Sequence, residues 1–96
     1  MRTIRRTNQF KKDYKRETKG RAATYVQKLD AELAAIMQVL TVDGTLEPRY
    51  RDHPLLNDWK DHRDCHVKPD LVLIYRKPDD STLELVRLGS HSEVEL

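Results

Sequence analysis

The sequence predicts an α+β fold, in which an N-terminal strand and a helix hairpin pack on a small, mainly antiparallel β-sheet. Apolar residues recur at three- and four-residue steps between Ala22 and Leu40, as in an amphipathic helix. Two apolar, β-branched runs, at 71–76 and 82–88, are separated by Pro-Asp-Asp-Ser at 78–81, as in two strands joined by a turn. The length of 96 residues suits a single domain, residues 1–96, with one small core.

The first half of the chain predicts a short strand and two helices. Residues 1–6 are a candidate strand, although only two of them are apolar. Thr7 can cap a helix over residues 8–18 by accepting a backbone N–H, and Gly20 can stop it in a left-handed conformation. The long periodic stretch forms the second helix, which ends at the Asp-Gly pair at 43–44.

The second half predicts an irregular connection followed by an antiparallel meander. Two prolines forbid a regular helix over 45–58. Residues 59–68 alternate in part, a turn follows at 67–69, and the strand at 71–76 is expected to be central. In the alternating stretch one face should carry Trp59, Cys65 and Val67, and the other Lys60, His62, Asp64, His66 and Lys68.

Composition excludes several classes of protein. With 38% hydrophobic and 35% charged residues, the chain is typical of folded, well-solvated domains. No apolar run approaches the roughly 18 residues of a membrane span, and no signal-peptide core is present, so we expect a cytoplasmic protein. The single cysteine, Cys65, excludes an intramolecular disulfide and suits a reducing compartment.

Basic residues are concentrated in the first third of the chain. Residues 1–28 contain ten Lys and Arg against two acidic residues, a net charge of +8, whereas the remainder carries −6. This asymmetry suggests a polyanionic partner, either a nucleic acid or an acidic protein. An ordinary solvated helix face is the alternative, since basic helix surfaces are common.

The candidate chemical groups lie in the second half and form an acid–base set: His53, His66, Asp70 and His91. Imidazole titrates near neutrality, and a carboxylate can fix its tautomer and stabilise its cation. His66 and Asp70 flank a short turn, so a hairpin can bring them together. The fourth histidine, His62, is interpreted as a bystander.

Three cations are candidates for holding a phosphate and its developing charge: Lys60, Arg63 and Arg87. Together with the histidines they suit metal-free RNA cleavage, in which the ribose 2′-OH attacks the adjacent phosphorus. Each residue of the acid–base set also has a structural interpretation: His53 as a loop histidine, Asp70 as an Asx turn, and His66 and His91 as solvent-exposed side chains.

A zinc site built from His62, Cys65 and His66 is disfavoured on two grounds. On a regular strand Cys65 points away from the two histidines, and the sequence contains no CxxC pair. Cys65 and Trp59 are therefore interpreted as core residues, and neither a metal nor another cofactor is expected.

In combination the motifs of the second half resemble a known family. They read DHPL at 52–55, WK at 59–60, RDCHVKPD at 63–70, LIY at 73–75 and RLGSH at 87–91. This series is similar to that of the YafQ group of the RelE/ParE toxin superfamily. The first half matches only in its order of elements, and the family's C-terminal aromatic residue has no counterpart in 92–96.

The resemblance implies a small cytosolic toxin of a type II toxin–antitoxin pair, acting as a ribosome-dependent mRNA endonuclease without a metal. The expected partners are a cognate antitoxin, the ribosome with its message, and operator DNA through the antitoxin complex. The family's catalytic residues fall on His53, His66, Asp70 and His91, and its basic residue on the last strand falls on Arg87. The alternative is a non-catalytic member that inhibits its target by binding, because ParE-like relatives share the fold but act on gyrase.

Overall fold

The fold is known from a computed structural model, which describes residues 1–94 and residue 96. Glu95, part of the segment without the family's aromatic, lies outside the described residues. Within the described residues the α-helices and strands follow in this order: β1 (Thr3–Arg6), α1 (Asn8–Thr18), α2 (Ala23–Thr41), β2 (His53–Pro54), β3 (Arg63–Lys68), β4 (Leu71–Arg76) and β5 (Thr82–Gly89). The strand order is β1-β5-β4-β3-β2, with β1 parallel to β5 and each other pair antiparallel. The predicted α+β class is therefore confirmed.

The helix hairpin forms as the sequence predicts. Thr7 caps α1, because its hydroxyl oxygen accepts a hydrogen bond of 3.0 Å from the backbone N–H of Phe10. Gly20 then adopts a φ of +73°, a conformation that costs glycine little, and the chain turns into α2. None of the helices in the described part of the chain is long and apolar enough to cross a membrane.

The main core lies between the helices and one face of the sheet. Leu29, Leu33, Ile36 and Leu40 recur along α2 and are all buried. Each such side chain contributes about 1.5–3 kcal/mol through burial. The sheet supplies alternate residues to this layer, namely Cys65, Val67, Leu71, Leu73, Tyr75, Leu83, Leu85 and Leu88. We call this side of the sheet the helix face.

The opposite side of the sheet carries a smaller apolar layer. Val72 and Ile74 of β4 pack there against Val94, with Leu55 and Trp59 at its edge. The prediction that Trp59 shares a face with Cys65 is wrong. Regular strand begins only at Arg63, and Trp59 lies in a 3₁₀ turn, Asn57–Trp59, that packs on the second layer. We call this side the histidine face.

Three other local predictions also need correction. The connection over 45–58 is not wholly irregular, because His53 and Pro54 form an edge strand opposite Asp64 and Arg63. β3 continues through Lys68, so the turn falls at residues 69–70. The sheet is also more than a meander, because β1 adds in parallel beside β5.

Candidate active site

Three histidines converge on the histidine face because of the register of the sheet. His53 on β2 lies directly opposite Asp64 on β3. His66 lies two residues further along β3, on the same side of the strand. His66 pairs with Val72, which in turn pairs with Gly89 at the end of β5. The turn after Gly89 carries His91, whose ring centroid is 5.3 Å from that of His66.

The tautomer of His53 follows from its neighbours. Its Nδ1 lies 2.8 Å from the carbonyl oxygen of Arg51 and 3.1 Å from Oδ1 of Asp64. Both neighbours are acceptors, so we assign the ring hydrogen to Nδ1. In the neutral ring the lone pair is then on Nε2, which becomes the proton-accepting nitrogen.

His66 is held in the same way. Its Nδ1 lies 3.3 Å from the carbonyl oxygen of Pro69 in the β3–β4 turn. A carbonyl accepts only, so Nδ1 again carries the hydrogen and Nε2 carries the lone pair. Backbone carbonyls therefore hold both rings in the tautomer that leaves Nε2 as the proton-accepting nitrogen.

Asp64 lies beneath these histidines and is not among the residues that the sequence nominates. It is 1% exposed, and its Oδ1 has no hydrogen-bond partner in the part of the chain that the structure describes. The 3.1 Å approach of His53 is close but not a directed hydrogen bond, since the Nδ1 hydrogen goes to Arg51. Burial raises the pKa of Asp64 above its ordinary value, although the charges of His53, His66 and His91 oppose that shift.

Comparison with known proteins identifies the family. A family model described as the bacterial toxin of type II toxin–antitoxin systems, YafQ, matches residues 2–95. The chain belongs to the YafQ toxin family.

Its relatives agree in sequence and in fold. The mRNA interferase toxin YafQ of Escherichia coli is 37% identical over 93 residues, which are 95% of this chain and 92% of that protein. A crystal structure of a metal-bound toxin from Helicobacter pylori is 43% identical, with a TM-score of 0.79, and covers 98% of this chain and 99% of that one. YafQ in the E. coli DinJ–YafQ complex is 35% identical, with a TM-score of 0.78 and coverage of 98% of both chains.

Asp70, the aspartate that the sequence predicts for this YafQ-family site, contacts the histidines less closely than Asp64 does. Asp70 is exposed in the β3–β4 turn, and the carbonyl of its neighbour Pro69 takes the hydrogen bond to His66. Among the described residues no hydrogen bond or ion pair joins Asp70 to His66. A catalytic role for Asp70 stays a prediction.

The predicted phosphate-binding residues lie in three different environments. Arg87 is bound to Asp13 on α1, at 2.8 Å from Nε to Oδ2, and also donates to the carbonyl of Glu93 beside the His91 turn. Arg63 precedes Asp64 in β3, points to the helix face, and pairs with Asp52 at 3.3 Å. Lys60 is exposed after the 3₁₀ turn. The structure therefore brings Arg87 towards the histidines but not Arg63.

The packing of the turn that holds His91 explains why the turn begins with Gly89 and Ser90. A Cβ atom on Gly89 would lie 2.9 Å from Nη2 of Arg16 and 3.2 Å from the side chains of Glu93 and Val94, so a larger residue would force these side chains to shift. Ser90 donates its N–H to the Glu93 carboxylate at 2.9 Å, and its hydroxyl accepts the N–H of Glu93 at 3.2 Å. Buried Val94 then anchors the turn to the second layer.

Cys65 is remote from this chemistry. It is fully buried on the helix face, and burial raises the pKa of its thiol far above the usual range. Its interpretation as a core residue is confirmed. Cys65 and His66 point to opposite faces of β3, so they do not converge as a ligand pair. No group of three or more metal-ligating side chains is arranged around a common point within the described residues.

Proposed function

We propose that this chain is an mRNA endonuclease that cleaves by acid–base catalysis, with the ribose 2′-OH as nucleophile. The observation that carries the proposal is the convergence of His53, His66 and His91 over the buried Asp64, with Nε2 of two rings available for proton transfer. The curated name of its E. coli relative, mRNA interferase, supports the substrate class.

In the proposed reaction His66 is the general base and His91 the general acid. Nε2 of His66 takes the 2′-OH proton as the oxygen attacks the adjacent phosphorus. The bond from phosphorus to the 5′ oxygen breaks, and His91 supplies the proton to that leaving oxygen. The products are a 2′,3′-cyclic phosphate and a 5′-hydroxyl. His53 and Asp70 orient the set or stabilise charge, and Arg87 faces the charge that develops on the phosphate.

Asp64 completes this mechanism as a positioning residue. Its Oδ1 is inaccessible to solvent, so it acts on the substrate only through the imidazoles above it. When a histidine accepts a proton, a carboxylate in this poorly solvated position stabilises the imidazolium. We infer that Oδ1 of Asp64 has no hydrogen-bond donor of its own because its negative charge serves to stabilise the protonated histidines.

The proposed partners follow from the family and from the charge distribution. E. coli YafQ has been crystallised with DinJ, and we propose an antitoxin partner of this kind for the present chain, with operator DNA bound through that complex. The substrate is a message on the ribosome in the cytoplasm. Lys11, Lys12 and Lys15 on α1 are exposed and supply a basic surface for ribosomal RNA.

Primer extension on messages recovered after induction tests the activity directly. We expect growth arrest together with new 5′ ends inside translated reading frames, and neither with the His91→Ala variant. Growth arrest with intact messages would instead favour the alternative, a toxin that inhibits its target by binding.

The chemistry of the new ends tests the mechanism, and a metal-bound relative makes this test necessary. We expect 2′,3′-cyclic or 3′-phosphate and 5′-hydroxyl ends, produced after zinc-selective chelation with ribosomes kept intact by Mg²⁺. A water activated by a metal commonly leaves a 3′-hydroxyl and a 5′-phosphate. Such ends, or activity that needs one equivalent of zinc, would replace the histidine mechanism.

A further inference from the structure

A basic groove begins at His66 and runs away from the histidine cluster. Its first part is a cleft of about 340 Å³ beside the β3–β4 turn, and its second part is a concavity of about 440 Å³ beside α2. The two parts share Val67, Lys68 and Pro69, so they adjoin. We call this feature the turn groove. The other lining residues are Arg49, Tyr50, Arg51 and His66 in the first part, and Lys28, Ala31 and Glu32 in the second.

The charge of the turn groove is strongly positive. Arg49, Arg51, Lys68 and Lys28 line it, against the carboxylate of Glu32. That carboxylate is already engaged, since it accepts hydrogen bonds from the Tyr50 hydroxyl at 2.9 Å and from Arg49 at 3.4 Å. Within the part of the chain that the structure describes, the side chains of Arg51, Lys68 and Lys28 form no ion pair. Three cations therefore stand without a carboxylate partner along one groove.

An aromatic ring holds two cations at the side of the groove. The Lys68 ammonium lies 4.4 Å from the centroid of the Tyr25 ring, and the Arg21 guanidinium lies 4.2 Å from the same centroid. Cation–π contacts stabilise each of them without neutralising its charge. Both charges contact the same ring, so an anion beside the ring would interact favourably with each of them. The arrangement fits a polyanion.

The walls of the groove also position the proposed catalytic histidines. Arg51 lines the groove, and its carbonyl accepts the Nδ1 hydrogen of His53. Pro69 lines it too, and its carbonyl accepts from His66. Arg51 holds a φ of +50°, a strained conformation for a residue with a side chain. The same backbone segments therefore shape the groove and orient the bases.

We propose that the turn groove binds the phosphate backbone of the message strand next to the phosphate that is cleaved. A strand lying in the groove leads directly to His66, which forms part of its lining. Arg51 and Lys68 contact phosphates there, so they set substrate affinity for every sequence alike. The inference rests on the proposed function, because it concerns the substrate of the same site.

The test uses Arg51→Gln and Lys68→Gln, singly and together, with Lys77→Gln as a control that removes one positive charge outside the groove. Binding is measured to ribosomes carrying a message with a 2′-O-methyl group at the cleavage position, which cannot be cut. We expect the double variant to bind about tenfold more weakly, with the salt slope lower by about 0.7–1 per cation removed. The Lys77→Gln control should bind like wild type, because its charge lies outside the groove.

A second set of ribosomes separates the message from ribosomal RNA. Their message is truncated so that no strand lies beyond the peptidyl site, and there the double variant should bind like wild type. An equal loss of affinity on both sets would mean that the groove contacts ribosomal RNA. No loss on either set would mean a solvated surface. Each of these results would overturn the inference, whereas wild-type protein that binds but never cuts would overturn only the proposed function.

Discussion

Two buried aspartates, Asp13 and Asp64, differ in almost every respect except burial. Asp13 on α1 is fully buried and accepts hydrogen bonds from Gln9, Arg16, Arg87 and the backbone N–H of Leu88, at 2.8–3.1 Å. Asp64 is equally buried, yet its Oδ1 accepts no hydrogen bond in the described part of the chain. Burial raises the pKa of both, but the donors around Asp13 more than offset it, so the pKa of Asp13 lies below its ordinary value. The pKa of Asp64 lies above.

We infer from this difference that Asp13 is a structural carboxylate and Asp64 a functional one. Asp13 joins α1 to the end of β5, and its four donors offset its desolvation. An acceptor left unsatisfied in the interior costs about 1–3 kcal/mol, so we expect Asp64 to contribute less to stability than Asp13. A buried carboxylate with an unsatisfied oxygen beneath three histidines supports the positioning role proposed for Asp64.

The largest effect is expected from Asp13→Ala. The variant leaves Arg87, Arg16 and the Leu88 N–H without their shared acceptor, and removing one partner of a buried pair costs about 3–5 kcal/mol. Urea unfolding followed by circular dichroism measures the loss. Asp13→Asn, which keeps an acceptor, should lose less, and Asp80→Ala at an exposed turn should lose almost nothing. Equal midpoints for Asp13→Ala and Asp80→Ala would contradict the structural role.

The next largest effect is on the rate of cleavage. His66→Ala or His91→Ala should each lose at least about 100-fold in single-turnover rate, the usual scale for a general acid or base. Their unfolding midpoints should barely move, in contrast to Asp13→Ala. His62→Ala is the matched control, because His62 packs against Trp59 outside the cluster. If His66→Ala and His91→Ala cut as fast as His62→Ala, the catalytic assignment is wrong.

Asp64→Asn should separate function from stability. We expect the rate to fall about tenfold while the free energy of unfolding rises by about 1 kcal/mol, because the variant no longer buries an uncompensated charge. The bend of the pH–rate profile should move to lower pH, since the imidazolium loses a stabilising carboxylate. Asp70→Asn is the comparison at the predicted position. A larger shift from Asp70→Asn than from Asp64→Asn would return the role to Asp70.

The pH dependence of stability should have opposite signs for the two aspartates. The Asp13 carboxylate, with its lowered pKa, stabilises wild type relative to Asp13→Asn above about pH 3.8, and that advantage is lost as pH falls through the folded-state pKa. The pKa of Asp64 is raised, so its carboxyl group makes wild type more stable than Asp64→Asn only at low pH. That stability is lost as the pH rises from about 3.8 through the folded-state pKa. Urea midpoints of the variants across pH 3–7 measure both. Slopes of the same sign would contradict the comparison.

The smallest effects are expected from single substitutions of the basic residues on α1, where Arg16 has a structural role and Lys12 is exposed to solvent. Lys12→Gln should weaken binding to ribosomes by about two- to threefold and leave unfolding unchanged, because an exposed phosphate contact is screened by salt. Arg16→Gln should instead lower stability, since Arg16 bonds Asp13 and the Leu88 carbonyl at 2.7 Å. Filter binding and urea unfolding on the same preparations give the two readings. Unchanged ribosome affinity for Lys12→Gln would favour the solvated-face interpretation.

Local patterns were enough to predict the helices, the central strand and the last strand. The Thr7 cap, the left-handed Gly20 and the apolar run of β4 depend on neighbours a few residues away, and all three are confirmed. The alternation of β3 also placed Asp64 on the same side as His66. It could not show that this side is covered, because the covering residue Val94 arrives from the far end of β5.

The sequence was sufficient to predict the three histidines of the candidate site, but not the carboxylate of Asp64 beneath them. Spacing and resemblance nominated His53, His66 and His91, which the structure brings to one face. The burial of Asp64 and the tautomers of the rings depend on carbonyls and cover that exist only after the sheet forms. Such tertiary effects leave no periodic signal in the sequence.

The pairing of β1 with β5 has a consequence for synthesis. Thr3 pairs with Thr82, so the first strand cannot join the sheet until β5 is available. Contacts between such distant residues slow folding, because a long loop closes before they form. We therefore expect a nascent chain to lack its complete site until residues 82–91 have left the ribosome. Protease protection of stalled nascent chains should appear only after β5 has emerged.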